Sequence, residues 1–221
     1  MTDRYSIAAG LLLAAVVVVA LLSEVGGDGA GGTLGLDERP PRWPLPEFAV
    51  PLATEEKLEG DANVAQDDCE TSQVPCPADA RRIPACQVQL LGAIRVCDLF
   101  DRPSVLSFWF SKGGDECVDQ QDVLDRVYAR YRGRVRFLSL NVRDDRDSVR
   151  ELVRERGWQM PVGYDRDGAV GRLYRVGGCP TFAYAFPGGT LFDASFGSLE
   201  EDELSGRIEA LLRATERAES S

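Results

Sequence analysis

The sequence contains no histidine. This absence excludes Ser–His and Cys–His catalysis and any metal site that depends on imidazole ligands. Chemistry is therefore left to cysteine, carboxylate, tyrosine and lysine side chains. Basic residues are also in the minority, because 25 Lys and Arg stand against 36 Asp and Glu, which gives a net charge of −11. This acidic balance argues against nucleic-acid binding, which needs clustered Lys and Arg.

One long apolar run stands near the N-terminus of the 221-residue chain. Residues 7–22 read IAAGLLLAAVVVVALL and carry no charge. A bilayer requires roughly 17–25 residues, so the run spans it only with uncharged neighbours included. We favour a membrane anchor over residues 7–23, because no clear small-x-small cleavage site follows; a cleaved signal segment is the alternative. Arg4 keeps residues 1–6 in the cytoplasm, so either interpretation places the remaining chain outside the cytoplasm.

The rest of the chain divides into a linker, one domain and a tail. Residues 24–45 are rich in Gly, Pro and acidic residues and predict a flexible linker. Residues 46–214 predict a single domain, and residues 215–221 a polar, frayed tail. Within the domain, residues 55–85 show no helix or strand pattern. We interpret them as a cysteine-containing insertion that disulfides hold in place.

Six cysteines fit an oxidising compartment, in which disulfides form and persist. They are Cys69, Cys76, Cys86, Cys97, Cys117 and Cys179. The first four are candidates for structural disulfides, since their spacings of 7, 10 and 11 residues lack the closely paired cysteines of zinc sites. We expect no metal and no cofactor. Sequence alone leaves the pairing open. Apolar alternation over residues 88–96 predicts a hairpin that places Cys97 opposite Gln87, which argues against a Cys86–Cys97 pair.

The C-terminal half of the chain has a regular pattern of apolar residues. It predicts an α/β fold with a mixed central sheet flanked by helices. The predicted strands cover residues 105–110, 135–142, 161–164, 181–186 and 190–196. The predicted helices cover residues 118–132, 147–156 and 169–174, and a last helix begins at a capping box over residues 198–201.

Two loops of this pattern contain cysteine. Cys117 follows a strand and a Gly-rich loop and stands at the start of a helix. A helix N-terminus favours the thiolate, the reactive form of cysteine, although Asp115 and Glu116 place negative charge beside it. In the second loop Cys179 directly precedes Pro180. The alternative for Cys117 is an inert thiol, either buried or locked in a disulfide.

These two loops, about 60 residues apart, carry a resemblance to a known superfamily. Together with Pro46-Glu47-Phe48 and Pro51, they make residues 46–214 similar to the thioredoxin-like superfamily. Within it, the chain resembles the membrane-anchored, extracytoplasmic thiol–disulfide oxidoreductases. The resemblance implies a thioredoxin-like fold, a cis bond before Pro180, and a groove beside Pro180 where the client's backbone pairs. It also implies a degenerate motif, Gly-x-x-Cys, because Gly114 stands where the first cysteine of Cys-x-x-Cys belongs.

We interpret Cys117 and Cys179 as a non-local redox pair that replaces this motif, with Pro180 shaping the groove. The function that follows is thiol–disulfide exchange with client protein thiols and disulfides. Electrons would come from a membrane thiol donor or a thioredoxin-like partner. An alternative is a non-catalytic peptide-binding scaffold with every cysteine in a structural disulfide. A weaker alternative is a peroxiredoxin-like peroxidase using Cys117, in which Phe110 and Gly114 replace that family's Pro and Thr.

Overall fold

The computed structural model describes Leu36 and residues 42–55, 64–65 and 84–220. All of these residues belong to one unit of the fold. The predicted segments 1–6 and 7–23 lie outside the described residues, as do Cys69 and Cys76. No helix in the described part of the chain combines the length and the apolarity that a membrane span requires.

The N-terminal part of the domain forms a small antiparallel sheet. Its strands are β1 (Phe48–Pro51), β2 (Val64–Ala65) and β3 (Ala93–Arg95), in the order β2-β1-β3. The hairpin predicted over residues 88–96 is wrong. Within this stretch only Ala93–Arg95 forms a strand, and it pairs with β1 instead of with residues 88–90. Short 3₁₀ turns at Ala85–Gln87 and Val96–Leu99 flank it, so the argument against a Cys86–Cys97 pair no longer applies.

A five-stranded mixed sheet forms the centre of the domain, as predicted. Its strands are β4 (Ser104–Trp109), β5 (Arg136–Val142), β6 (Val162–Asp165), β7 (Thr181–Ala185) and β8 (Leu191–Phe196). They lie in the order β6-β5-β4-β7-β8. Strands β4, β5 and β6 are parallel, whereas β7 is antiparallel to both β4 and β8. Strand β4 is buried along its whole length, as a central strand covered on both faces should be.

Four helices accompany the sheet. They are α1 (Asp115–Tyr131), α2 (Arg146–Arg156), α3 (Ala169–Leu173) and α4 (Glu201–Glu219). Side chains of α1, α2 and α4 form one apolar core with Trp109 and Phe182. A second core contains Phe48, Phe108 and Tyr174 together with residues of α3. Burial raises the pKa of Tyr174 well above its ordinary value, so its hydroxyl stays protonated and donates to the carbonyl of Pro46 at 2.8 Å.

The domain begins earlier than predicted. The sequence pattern places residues 42–45 in the flexible linker, but Leu45 is buried and its N–H donates to the carbonyl of Gly189 at 2.8 Å. Pro44 forms a β-bridge with Thr190. The prediction of a linker as far as residue 45 is therefore wrong at its C-terminal end, because this stretch adds backbone hydrogen bonds to the edge of the main sheet.

The domain also ends later than predicted. Helix α4 continues to Glu219, so the assignment of residues 215–221 to a frayed tail is wrong through that residue. Thr215 is buried, and its hydroxyl donates to the carbonyl of Leu211 at 3.0 Å, which lets a polar residue continue the inward-facing stripe. The capping box of α4 uses Glu200 and Glu203 rather than the predicted box at residues 198–201.

Candidate redox site

The first loop of the site connects β4 to α1. It forms a 3₁₀ turn at Ser111–Gly113 and then reaches Gly114, which caps α1. Gly114 has a φ of +102°, a backbone conformation that residues with a Cβ rarely adopt. The position that carries a cysteine in the Cys-x-x-Cys motif therefore serves here as a sharp turn in the backbone.

Cys117 lies in the first turn of α1, three residues after Gly114. Its backbone N–H donates to the carbonyl of Gly114 at 3.2 Å, and its side chain belongs to the buried core with only 1% exposure. Helix α1 is 17 residues long, so the unpaired N–H groups and the dipole of its first turn favour negative charge at this sulfur.

Cys179 lies in the second loop, directly before β7. The bond between Cys179 and Pro180 is cis, as the resemblance implies. Cys179 is partly exposed, and its sulfur lies 3.8 Å from the carbonyl oxygen of Phe110 in the first loop. The Thr181 hydroxyl donates to the Gly178 carbonyl at 2.7 Å, a bond that fixes the backbone on either side of the cysteine.

The fold joins Cys117 and Cys179 in a disulfide between the two loops. Their Cα atoms are 5.6 Å apart across a sequence separation of 62 residues. This distance lies inside the range of roughly 4.4–6.8 Å that disulfides require. Of the predicted site residues, Cys117, Cys179 and Pro180 therefore lie together. Their catalytic roles stay predictions.

A second disulfide joins Cys86 and Cys97 in the N-terminal part of the domain, with a Cα separation of 5.9 Å. The Glu47 carboxylate accepts a hydrogen bond from the Cys86 N–H at 3.2 Å and lies within 4.8 Å of both sulfurs. These three side chains are the cluster of potential metal ligands among the described residues, but the two sulfurs are bonded to each other. Within the described part of the chain no cysteine is free.

A buried polar network lies beneath Cys117, and sequence reasoning missed it. Gln121, one helical turn after Cys117, donates to the carbonyl of Cys117 at 3.3 Å and to the hydroxyl of Ser107 at 3.2 Å. Its carbonyl oxygen accepts from Ser139 at 2.8 Å, and the same Ser139 accepts from the Trp109 indole at 2.7 Å. The feature of the sequence that could have indicated this network is one polar residue, Gln121, within the apolar stripe of a predicted helix.

A buried carboxylate holds the first loop in place. Asp144, which follows β5, is 6% exposed. It accepts a hydrogen bond from the backbone N–H of Ser111 at 2.5 Å and another from the side chain of Asn141 at 2.7 Å. Because Ser111 is adjacent to Phe110, whose carbonyl contacts the sulfur of Cys179, this carboxylate positions the backbone beside the disulfide.

The comparison with known proteins agrees with this geometry. No protein-family model matches the chain. The chain is 26% identical over 118 residues to the thiol-disulfide oxidoreductase ResA of Oceanobacillus iheyensis, a match that covers 53% of this chain and 61% of that protein. The chain thus spans less than two thirds of this curated relative.

Two solved structures from Chlorobium tepidum share the fold. One is a protein assigned as the thiol:disulfide interchange protein DsbE, with a TM-score of 0.57 and 19% identity; the match covers 78% of this chain and 98% of the other. The second is a thiol:disulfide interchange protein of the thioredoxin family, with a TM-score of 0.54 and 14% identity, covering 80% and 99%. At these identities the likeness concerns the fold alone.

The fold and the site together define a class: an α/β protein in which the loop before α1 and a cis-proline loop meet at a disulfide. The chain therefore has a thioredoxin-like fold, and over about half of its length it is similar in sequence to a thiol–disulfide oxidoreductase.

Proposed function

We propose that this protein catalyses thiol–disulfide exchange through the Cys117–Cys179 disulfide, on the extracytoplasmic side of a membrane. One observation carries the proposal: the disulfide joins the two loops that face each other in the thioredoxin-like fold, and one of its two cysteines is partly exposed. A purely structural disulfide does not need to lie between these two loops. The name of the relative from Oceanobacillus iheyensis supports the same reaction class.

The reaction needs only the groups that the site contains. A client with two thiols gives up two electrons and two protons, and its sulfurs become a disulfide. The Cys117–Cys179 bond breaks, and the two cysteines take up those electrons and protons as thiols. Run in reverse, the reduced pair cleaves a client disulfide. No metal or cofactor takes part in either direction.

Pro180 has a positioning role in this proposal. It is buried beside Cys179, and its carbonyl accepts a hydrogen bond from the N–H of Gly197 at 2.9 Å. This bond and the Thr181–Gly178 bond fix the loop before any client arrives, which lowers the ordering cost of binding. An extended client chain would then pair with the backbone at Cys179, and its own cysteine would lie near the disulfide.

The apolar segment at residues 7–23 supports membrane attachment, with the domain outside the cytoplasm. The partners in this setting are client proteins with reactive thiols or disulfides. A membrane thiol donor or a second thioredoxin-like protein supplies or removes electrons.

A turnover assay tests the proposal. The full chain with a small dithiol should accelerate the reduction of insulin disulfides, and the double variant C117S/C179S should lower that rate roughly 100-fold, because both exchanging sulfurs are gone. The matched control is C86S/C97S, which removes the other disulfide of the described residues and should retain the activity. Equal activity in wild type and C117S/C179S would end the proposal.

A second candidate function is a non-catalytic peptide-binding module. The observation that favours it is that Cys86, Cys97, Cys117 and Cys179 are all in disulfides while Gly114 replaces the first motif cysteine. In that case C117S/C179S would still bind extended peptides, and wild type would show no turnover with insulin. The peroxidase alternative has less support, because Cys117 is buried and bonded to Cys179.

A further inference from the structure

The two sulfurs of the site are not equivalent, and the difference assigns them different roles. We propose that Cys179 is the sulfur that forms the mixed disulfide with the client, and that Cys117 is the leaving and resolving sulfur. This inference rests on the proposed exchange function and specifies its mechanism. Cys117 keeps the shielded position of the second cysteine of a Cys-x-x-Cys motif, whereas the attacked sulfur moves from the loop before α1 to the cis-proline loop.

Access is the first argument. Exchange requires an incoming thiolate to reach one sulfur of the disulfide from the side opposite the bond that breaks. Cys117 is 1% exposed and is packed within the buried core beneath the start of α1. Cys179 is partly exposed, at the edge of that core and in the cis-proline loop. A protein-sized client can therefore approach the sulfur of Cys179, whereas the sulfur of Cys117 is shielded.

The charge left behind by the reaction is the second argument, and it does not depend on access. The sulfur that is not attacked leaves as a thiolate, and a better stabilised thiolate leaves faster. Cys117 lies in the first turn of the 17-residue α1, where the helix N-terminus stabilises negative charge. Asp115 and Glu116 oppose this effect, but both are exposed, so water and salt screen them.

Cys179 lacks a helix of this kind. The polar atom that the structure places beside its sulfur is the carbonyl oxygen of Phe110, at 3.8 Å. A carbonyl oxygen accepts a hydrogen bond from a thiol and repels a thiolate, so it favours the protonated form of Cys179. Negative charge is therefore better placed on Cys117 than on Cys179 when the bond between them breaks.

The resulting steps balance. A client thiolate attacks the sulfur of Cys179, a client–Cys179 disulfide forms, the Cys179–Cys117 bond breaks, and its electron pair goes to Cys117 as thiolate. The second client thiol loses its proton and attacks the client sulfur of the mixed disulfide, which releases Cys179. The client leaves as a disulfide, and the protons that its two thiols lost end on Cys117 and Cys179. In the reductive direction the Cys179 thiol loses its proton and attacks one sulfur of the client disulfide, whose other sulfur leaves as thiolate. The Cys117 thiolate then attacks the sulfur of Cys179 in the mixed disulfide, the Cys117–Cys179 bond forms, and the client leaves as a dithiol.

Two variants of the full chain, each lacking one cysteine of the pair, test which sulfur forms the mixed disulfide. Each is treated with oxidised glutathione, and the adducts are mapped by peptide mass spectrometry. C117S leaves the partly exposed cysteine and should form a glutathione adduct at Cys179. C179S leaves the shielded sulfur and should form an adduct at Cys117 roughly 100-fold more slowly, because access limits the reaction. Equal rates, or a faster reaction at Cys117, would overturn the assignment.

A measurement on the wild type covers the case in which a variant does not fold. The reduced protein is given a short pulse of iodoacetamide, and the labelled peptides are identified. Cys179 should be alkylated before Cys117, and the opposite order would contradict the proposal. The insulin assay remains separate: lost turnover in wild type would remove the exchange function, whereas intact turnover with adducts at Cys117 would remove only the order proposed here.

Discussion

The two described disulfides of this protein differ in ways that separate a reactive bridge from a structural one. Cys86–Cys97 closes a loop over 11 residues, and both of its cysteines are partly exposed. Cys117–Cys179 spans 62 residues and pairs a buried cysteine with a partly exposed one. Exposure alone would favour the first bridge as the reactive one. The difference in burial between its two cysteines favours the second bridge, because exchange needs one sulfur that an incoming thiolate can attack and another that leaves as a stable thiolate.

The secondary structure beside each bridge strengthens the contrast. Cys117 stands at the N-terminus of a long helix, whereas Cys97 lies in the short 3₁₀ turn Val96–Leu99. The sulfurs of the N-terminal bridge lie within 4.8 Å of the Glu47 carboxylate, whose negative charge opposes thiolate formation. Beneath Cys117 the network of Ser107, Gln121 and Ser139 is neutral. The local environment thus favours a thiolate at Cys117 and opposes one at the Cys86–Cys97 bridge.

Removing each bridge should produce the largest effect. Loop-closure entropy predicts a loss of about 4 kcal/mol for C117A/C179A and about 3 kcal/mol for C86A/C97A, because the longer loop gains more freedom on unfolding. Urea unfolding of the two variants beside the wild type measures both losses. If C86A/C97A proved the more destabilised variant, the contrast between a long and a short bridge would have to be abandoned.

Removing the carboxylate beside each bridge comes next. D144A should lose about 1–3 kcal/mol of stability, because the buried amide of Asn141 and the part-buried N–H of Ser111 lose their acceptor. It should also slow insulin reduction, since the loop beside Cys179 is released. D144N keeps an acceptor oxygen and is the conservative control.

The matched variant at the other bridge is E47A, at a partly exposed position next to Cys86. It should leave turnover with insulin unchanged. An E47A variant as slow as D144A would show that the two bridges are coupled.

Crowding the cis-proline loop should have a smaller effect. A Cβ at Gly178 would lie 2.5 Å from a ring carbon of Phe196. Because that ring is partly exposed and can move, we expect G178A to cost about 1 kcal/mol, near the lower end of overpacking effects. Client turnover should fall with it, as the loop around Cys179 shifts. G133A, where a Cβ meets no atom within 4 Å, is the control; a G178A protein that matches it in stability and rate would refute the prediction.

The smallest effect concerns pH. The N–H of Ser148 donates to Asp145, the cap of α2, and this hydrogen bond lowers the pKa of the Asp145 carboxyl. A lowered pKa in the folded state means that the stabilisation is fully present above the pKa of the unfolded chain, about 3.9, and is lost as pH falls through the folded value. D145N keeps a capping side chain without the charge. Urea midpoints of wild type and D145N should therefore converge at acid pH, and a difference independent of pH would contradict this.

The sequence was sufficient to predict the main sheet and both loops of the site. Strands β4, β5, β7 and β8 are signalled by their own apolar residues, so their positions follow from local pattern. The Cys86–Cys97 bridge was not predictable, because the alternation over residues 88–96 is used by β3 to pair with β1, a contact distant in sequence. The role of Asp144 was hidden for the same reason: its partner Ser111 is 33 residues away. The turn at Gly114 required a backbone angle that no residue pattern specifies.

The most direct test of the difference between the two bridges is their order of reduction. The native full chain is equilibrated in buffers of increasing dithiol concentration, quenched with iodoacetamide and mapped by peptide mass spectrometry. Our account predicts that Cys117 and Cys179 become labelled while Cys86 and Cys97 are still joined and the domain is still folded. Reduction of Cys86–Cys97 first, or release of Cys117 and Cys179 only when the domain unfolds, would contradict it.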